Sequence, residues 1–317
     1  IEAQRDPSRP IANVTLVAND EYFNAPTFHW IQRRLGLEHT RIRGVNSRLC
    51  ELSEFVLLKY PRVGPAGVIS GLPEAAAVIQ NQRSWFSRAY EEISRWPLPD
   101  NNTATLFRQR QRFKKPFRGK TLFYQTFNVG KVELSDLEMS FGSWDAERSV
   151  YKTMGVTSRQ ADIRGLALAW PKLELEGVGF VPAYDEGMST VWVDVRVLRL
   201  DRVRVKSLNV GADELKMFLA ERVKGLEIAD LTLEKTVRIA GSYRGCPVNA
   251  EASLELLDSP RRLKINILSA SIARVSVPVS MFREIKELII PLYPNPETPF
   301  TIELPSLTIK NGRLSVP

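Results

Sequence analysis

From Lys131 to the end of the chain, apolar and polar residues alternate in short segments, and this alternation most narrows the folds open to the sequence. Val191, Val193, Val195 and Val197 form the clearest run. Leu137–Met139–Phe141, Val248–Ala250–Ala252–Leu254–Leu256, Leu263–Ile265–Ile267 and Val275–Val277–Val279 repeat the pattern. A strand turns successive side chains to opposite faces, so a period of two describes sheets with one buried and one wet face. Two segments break the pattern with helical spacing. One follows Asp213 and carries Leu215, Phe218, Leu219 and Val223 on one side, ending at Gly225. The other follows Ser280 with Phe282, Ile285, Leu288 and Ile289, and ends at Pro291. Residues 126–317 are therefore expected to form a mostly antiparallel, curved sheet wrapped around a few helices.

The preceding third reads differently. Asn13–Val17, Arg41–Val45, Phe55–Leu58 and Thr103–Phe107 have the composition of short strands. Asn24 and Pro26 open a helix with Phe28, Ile31 and Leu35 at helical spacing and Gly36 as its stop. Val78, Trp85, Phe86, Ala89, Tyr90 and Ile93 predict a second helix between Pro73 and Trp96. The order β-α-β-β-α-β implies a small layered α/β domain over residues 1–112. With a linker at 113–125 and the β-rich part at 126–317, the expected fold class is α+β in two domains, in keeping with 317 residues.

Charge separates the same regions. Residues 1–120 hold 19 Lys and Arg against 11 Asp and Glu, whereas the remainder is balanced. Arg108, Arg110, Arg112, Lys114, Lys115, Arg118 and Lys120 form a run without an acidic residue, interrupted by Phe113 and Phe117. Such a run fits an anionic membrane surface, with the two phenylalanines entering the interface. A solvated linker is the plain alternative. No nucleic-acid motif surrounds the run. Cys50 and Cys246 belong to no metal or redox motif and read as two unrelated buried thiols, with a long-range disulfide between them as the alternative. His29 and His39 lack metal-ligand spacing, so no metal and no cofactor is implied. Gly177–Phe180 lacks the third glycine of a dinucleotide loop and reads as a turn or bulge. The loop Lys59–Pro65, at the end of an apolar strand, is the one segment with the look of a ligand loop. Glu74 is the nearest candidate acid or base.

Residues 10–112 resemble the soluble C-terminal domain of bacterial membrane glycosyltransferases of the dolichyl-phosphate-mannose type. The segments that carry this are Asp20–Thr27, Val56–Lys59 leading to Gly64–Pro65, Phe86 with Tyr90, and Pro97–Asp100. Asn101–Asn102 departs from the Gly-Ser usual in that family. The family's catalytic acids lie in membrane-proximal regions outside this domain. The resemblance therefore implies an extracytoplasmic accessory domain held against a membrane, with a transmembrane portion before Ile1 if that residue is a cut point. In pattern alone, residues 125–317 are similar to bacterial tubular lipid-binding proteins, whose curved sheet wraps helices around an apolar groove.

The expected function is accordingly a non-catalytic module of the cell envelope. It would bind lipid or a lipid-linked sugar and dock to a membrane glycosyltransferase. Val191, Val193, Val195, Leu215, Phe218, Leu219, Val223, Phe282 and Ile285 would line the groove, or fill a closed core. The alternatives are a sugar-metabolism enzyme with a site at Lys59–Pro65 and a structural envelope protein without ligand.

Overall fold

The computed structural model describes residues 1, 5, 11–44, 53–65, 71–129, 132–163, 165–183, 192–222, 224–258, 261–273, 275–276, 287–294 and 299–316. Of the described residues, 59% lie in strands and 13% in helices, of which there are four. The chain is thus predominantly β, which corrects the expected α+β class with its layered α/β domain. Part of the missing helix lies between residues 73 and 96. There α2 (Leu72–Gln80) and α3 (Trp85–Ala89) are short, and Tyr90–Pro97 is a strand, β4. Ser84 ends the first helix's run by capping α3, its hydroxyl accepting from the Phe86 N–H at 3.2 Å. A bulge between Glu92 and Ser94 spoils the strand's period of two, so its sequence does not alternate. The remainder lies near the C-terminus. Leu288 and Ile289, read as helical, belong to strand β19 (Glu287–Pro291), while Phe282 and Ile285 fall outside the described residues.

The first sheet is built from β1 (Ala12–Val17), β2 (Thr40–Gly44), β3 (Phe55–Tyr60), β4 and β5 (Thr103–Gln109), in the order β2-β1-β3-β5-β4. β1 runs parallel to β2 and β3, and β5 is antiparallel to β3 and β4. Alternation sorts its side chains between two cores. Val14, Leu16, Phe55, Leu57 and Leu106 face α1 (Ala25–Leu35) through Phe28. Val17, Val56, Leu58 and Phe107 meet α2 and α3 through Leu72, Trp85 and Phe86. Asn24 caps α1, accepting from the Thr27 N–H at 2.9 Å, and Gly36 ends it at φ 63°. The expected stripe of Phe28, Ile31 and Leu35 is only partly engaged: Ile31 and Leu35 are exposed.

Two further sheets follow. The second has eleven strands: β6 (Thr121–Val129), β7 (Val132–Phe141), β8 (Trp144–Asp145), β9 (Val150–Thr157), β10 (Gln160–Ile163), β11 (Leu166–Pro182), β12 (Trp192–Arg199), β13 (Arg202–Gly211), β20 (Thr301–Glu303), β21 (Thr308–Lys310) and β22 (Arg313–Val316). The 17-residue β11 is its spine, pairing along its length with β10, β9, β13 and β12. Its pairing with β12 shifts register between Gly179 and Phe180, where Leu198 of β12 is the extra residue, so the irregularity falls beside the glycine pair but not on it. The third sheet is antiparallel: β14 (Leu226–Leu233), β15 (Val237–Tyr243), β16 (Cys246–Asp258), β17 (Arg261–Ile272), β18 (Val275–Ser276) and β19. α4 (Ala212–Arg222) links the second and third sheets. Cys246 is exposed beside the β15–β16 turn, contrary to the buried thiol expected, and Cys50 lies outside the described residues.

The second sheet's core is aromatic. Tyr151 and Phe180 are fully buried with Leu137 and Met139. Phe117 joins them, its ring 5.5 Å from Phe180 and 5.8 Å from Phe141. Residues 113–125 are therefore not a free linker. Thr121–Gln125 already belong to β6, Pro116 and Phe117 are buried, and Phe113 is half-buried between Trp144 and Arg199. The first and second sheets also share a core, in which Val181 and Leu198 pack with Trp85 and Phe86. Gln109 donates to the Leu198 carbonyl at 3.1 Å, and Arg88 to that of Pro182 at 2.8 Å. Phe117→Ala would remove an aromatic anchor from a filled core. We expect a loss of roughly 3–5 kcal/mol in denaturant unfolding, where a linker residue would cost almost nothing.

Candidate functional site

The third sheet is amphipathic through its register. Directly paired residues share a face. Leu231 pairs with Ile239, Ile239 with Ala250, and Ala250 with Ala270. Leu233 pairs with Val237, Val237 with Ala252, and Ala252 with Ile267. Leu254 faces Ile265, and Leu256 faces Leu263, which pairs with Ile290. These rows make one continuous apolar face. The opposite face is polar, with Arg238 and Thr236 hydrogen-bonded to Glu251, and Ser242 to Glu227.

Cover over the apolar face is uneven. At the β14 edge, Leu215 and Leu219 of α4 pack on Ile228, Leu231 and Leu233, which are buried. At another margin Leu256 joins a small core with Leu292, Leu304 and Val205. Between them Ala252, Leu254, Ile265 and Ile267 are only half-buried. Toward the β17–β18 turn, Ile272 and Val275 are exposed, paired with each other and with Val248. An open depression of about 510 Å³ is lined chiefly by residues of the polar face, Glu227, Ala240, Ser242, Pro247 and Asn249, beside Ile228 and Val248.

The residues expected to line a groove are thus partly united. Leu215 and Leu219 meet the apolar face, and Phe218 is half-buried on the same helix. Val195 does not join them. It is buried in the aromatic core of the second sheet, so it lines nothing. Val191, Val223, Phe282 and Ile285 fall outside the described residues, as does the side chain of Val193. The larger share of the face, Leu254, Ile265 and Ile267, was not singled out from sequence. Their strict alternation was visible, but alternation alone does not tell a covered face from an open one.

The basic run also divides. Arg108 and Arg110 each reach Glu91 at 3.3 Å. Arg112, Lys114, Lys115, Arg118 and Lys120 are exposed. Phe117 is buried and cannot enter a bilayer interface, which corrects the membrane-surface expectation for that residue, whereas Phe113 is half-buried. Among the described residues no helix is long and apolar enough to cross a membrane, and no cluster of His, Cys, Asp and Glu is arranged for a metal.

The Lys59 loop forms a second centre. Lys59 ends β3 and is 3% exposed. Its ammonium pairs with Asp20, which follows β1, and with Asp100 of the β4–β5 turn at 2.6 Å. Arg62 Nε lies 3.9 Å from Asp20, and the Asn102 carboxamide oxygen accepts from the Arg62 N–H at 2.7 Å. Three of the segments that carry the glycosyltransferase resemblance therefore meet at one ion cluster. No family model, no curated protein and no solved structure matches the chain. The Lys59 hydrogen bond holds both carboxyls below their usual range. Burial works against the charge of Lys59, but the hydrogen bonds and charges of Asp100 and Asp20 outweigh it and raise its pKa. A lysine locked as a cation is neither nucleophile nor base, and carboxylates locked as anions do not donate protons. The cluster's charges are matched to one another, and it joins three loops.

Its contribution to stability depends on pH. The carboxylate part is complete above the unfolded value of about 4 and is lost as pH falls through the lowered folded values. The lysine part is complete below about 10.4 and is lost as pH rises through the raised value. Lys59→Met should cost about 3 kcal/mol near neutral pH by stranding Asp20. Thermal unfolding of both proteins across pH should show the gap closing in acid, where protonated carboxyls no longer require the cation.

Proposed function

We propose that the chain is a non-catalytic binding module that holds the apolar part of a lipid, or of a lipid-linked sugar, against the apolar face of the third sheet. The observation that carries this reading is the continuous row from Val248 to Leu256 with its partners on β17. It is roofed by α4 at one margin, half-buried in the middle and exposed at one end. A face that only filled a core would be buried along its length. Burial of a methylene is worth about 0.8 kcal/mol, so a chain of eight or more carbons lying along this face has an ample driving force. The exposed end at Ile272 and Val275 suits entry of the tail.

The reading as a sugar-metabolism enzyme draws no comparable support. Its loop is engaged in the Lys59 ion cluster, and Glu74 sits exposed in the first turn of α2. An envelope location and docking to a membrane enzyme are consistent with the exposed cations at 112–120 and belong to the same proposal.

Native mass spectrometry and solvent extraction of the purified protein test it. Wild-type protein is expected to carry lipid, or to take up a fluorescent polyprenyl phosphate. Leu254→Asn with Ile265→Asn should reduce uptake at least tenfold. The unfolding midpoint should fall less than after Phe117→Ala, because the two positions are already half open. Wild-type protein that neither carries nor takes up lipid would overturn the proposal.

A further inference from the structure

We infer that α1 is a membrane-docking helix that seats the protein on an anionic lipid surface. α1 packs on the first sheet by Phe28 alone among its larger apolar side chains, and no residue of the helix is buried. Trp30 is 59% exposed and Leu35 64%, with Ile31 also exposed, and Tyr22 in the preceding turn is 78% exposed. At 100° per residue, Trp30, Arg34, Ile31 and Leu35 fall within one arc of the helix. Arg33 flanks that arc. The Arg34 guanidinium lies 5.3 Å from the centre of the Trp30 ring, so cation and ring are presented together.

Charge selects the partner. The helix has no acidic residue, and from Ala25 to Gly44 four arginines stand against the single Glu38. Large apolar side chains interleaved with arginines describe a helix lying in the plane of an anionic bilayer interface, with the indole at headgroup depth and the aliphatic side chains below it. A protein partner of complementary shape is the competing occupant, but the helix is convex and offers no pocket for a partner's anchor. Position in the fold agrees. The opposite side of the first sheet is taken by α2, α3 and the second sheet, which share a core, so α1 lies on the side directed away from the β-rich body. The inference rests on exposure and charge at α1 and is independent of the lipid site on the third sheet.

Co-sedimentation of the full chain with phosphatidylcholine vesicles, with and without about one-third phosphatidylglycerol, tests it. Binding is expected to the anionic vesicles and to weaken as salt is raised. An arginine near the surface contributes about fivefold. Arg33→Gln with Arg34→Gln should therefore weaken binding about 20-fold, and Trp30→Ala at least tenfold. All three side chains are exposed, so the unfolding midpoint should not move, and circular dichroism checks this. A control with Arg112, Lys114, Lys115, Arg118 and Lys120 all changed to Gln should retain most of the binding. Leu254→Asn with Ile265→Asn should retain it too, which separates docking from lipid uptake. Absence of wild-type binding, or loss in the 112–120 control with the α1 variants unaffected, would overturn the inference.

Discussion

A sheet with one apolar face has to cover it, and the described residues supply three sheets and four helices with which to do so. The first sheet takes three of the helices, one on one side and two on the other, and lends the second sheet a surface to pack on. The second sheet solves the problem with its own strands. The bent β11 pairs with four neighbours, and tyrosine and phenylalanine rings from β7, β9, β11 and the 113–120 segment close the interior. Among the described residues that leaves the third sheet with α4. Eleven residues of helix do not span a face built on strands of 13 and 12 residues. The half-open apolar strip follows from this shortage, and the functional reading follows from the strip.

α4 also couples two cores. Leu215 packs against the aromatic core of the second sheet and against Ile228, Leu231 and Leu233 of the third. A molecule that shifted α4 on the third sheet would disturb the second as well. The Lys59 cluster has the same character on a smaller scale. One ammonium ties the exits of β1 and β3 to the β4–β5 turn, so three loops far apart in sequence are fixed by a single buried charge.

How much of this was legible beforehand depended on whether a feature is local. The caps at Asn24 and Gly36, the strands β1, β3 and β5, and the long alternating segments of β16 and β17 are written in consecutive residues and could be read directly. The helix after Asp213 was equally plain, and its Leu215 and Leu219 reach the apolar face as expected. β4 was misread because a bulge at Ile93 destroys the period of two that identifies a strand. Phe117 was assigned to a linker because its neighbours are cations, whereas its partners Phe141 and Phe180 come from distant strands. Val195 alternates as cleanly as Leu254. Only the pairing of strands reveals that one is enclosed and the other half open.

The route of the chain bears on its synthesis. It leaves the second sheet at Gly211, builds the whole third sheet, and returns to pair Thr301 with Arg202 and Arg313 with Gly211. The flank of β13 that receives β20 and β22 thus acquires its neighbours from residues made only after the whole third sheet. Until then it is an unpaired strand edge, the kind of surface that recruits other chains. Deletion of β22 would leave its part of that edge open permanently. The yield of soluble protein should therefore depend on β22 more than its four residues suggest.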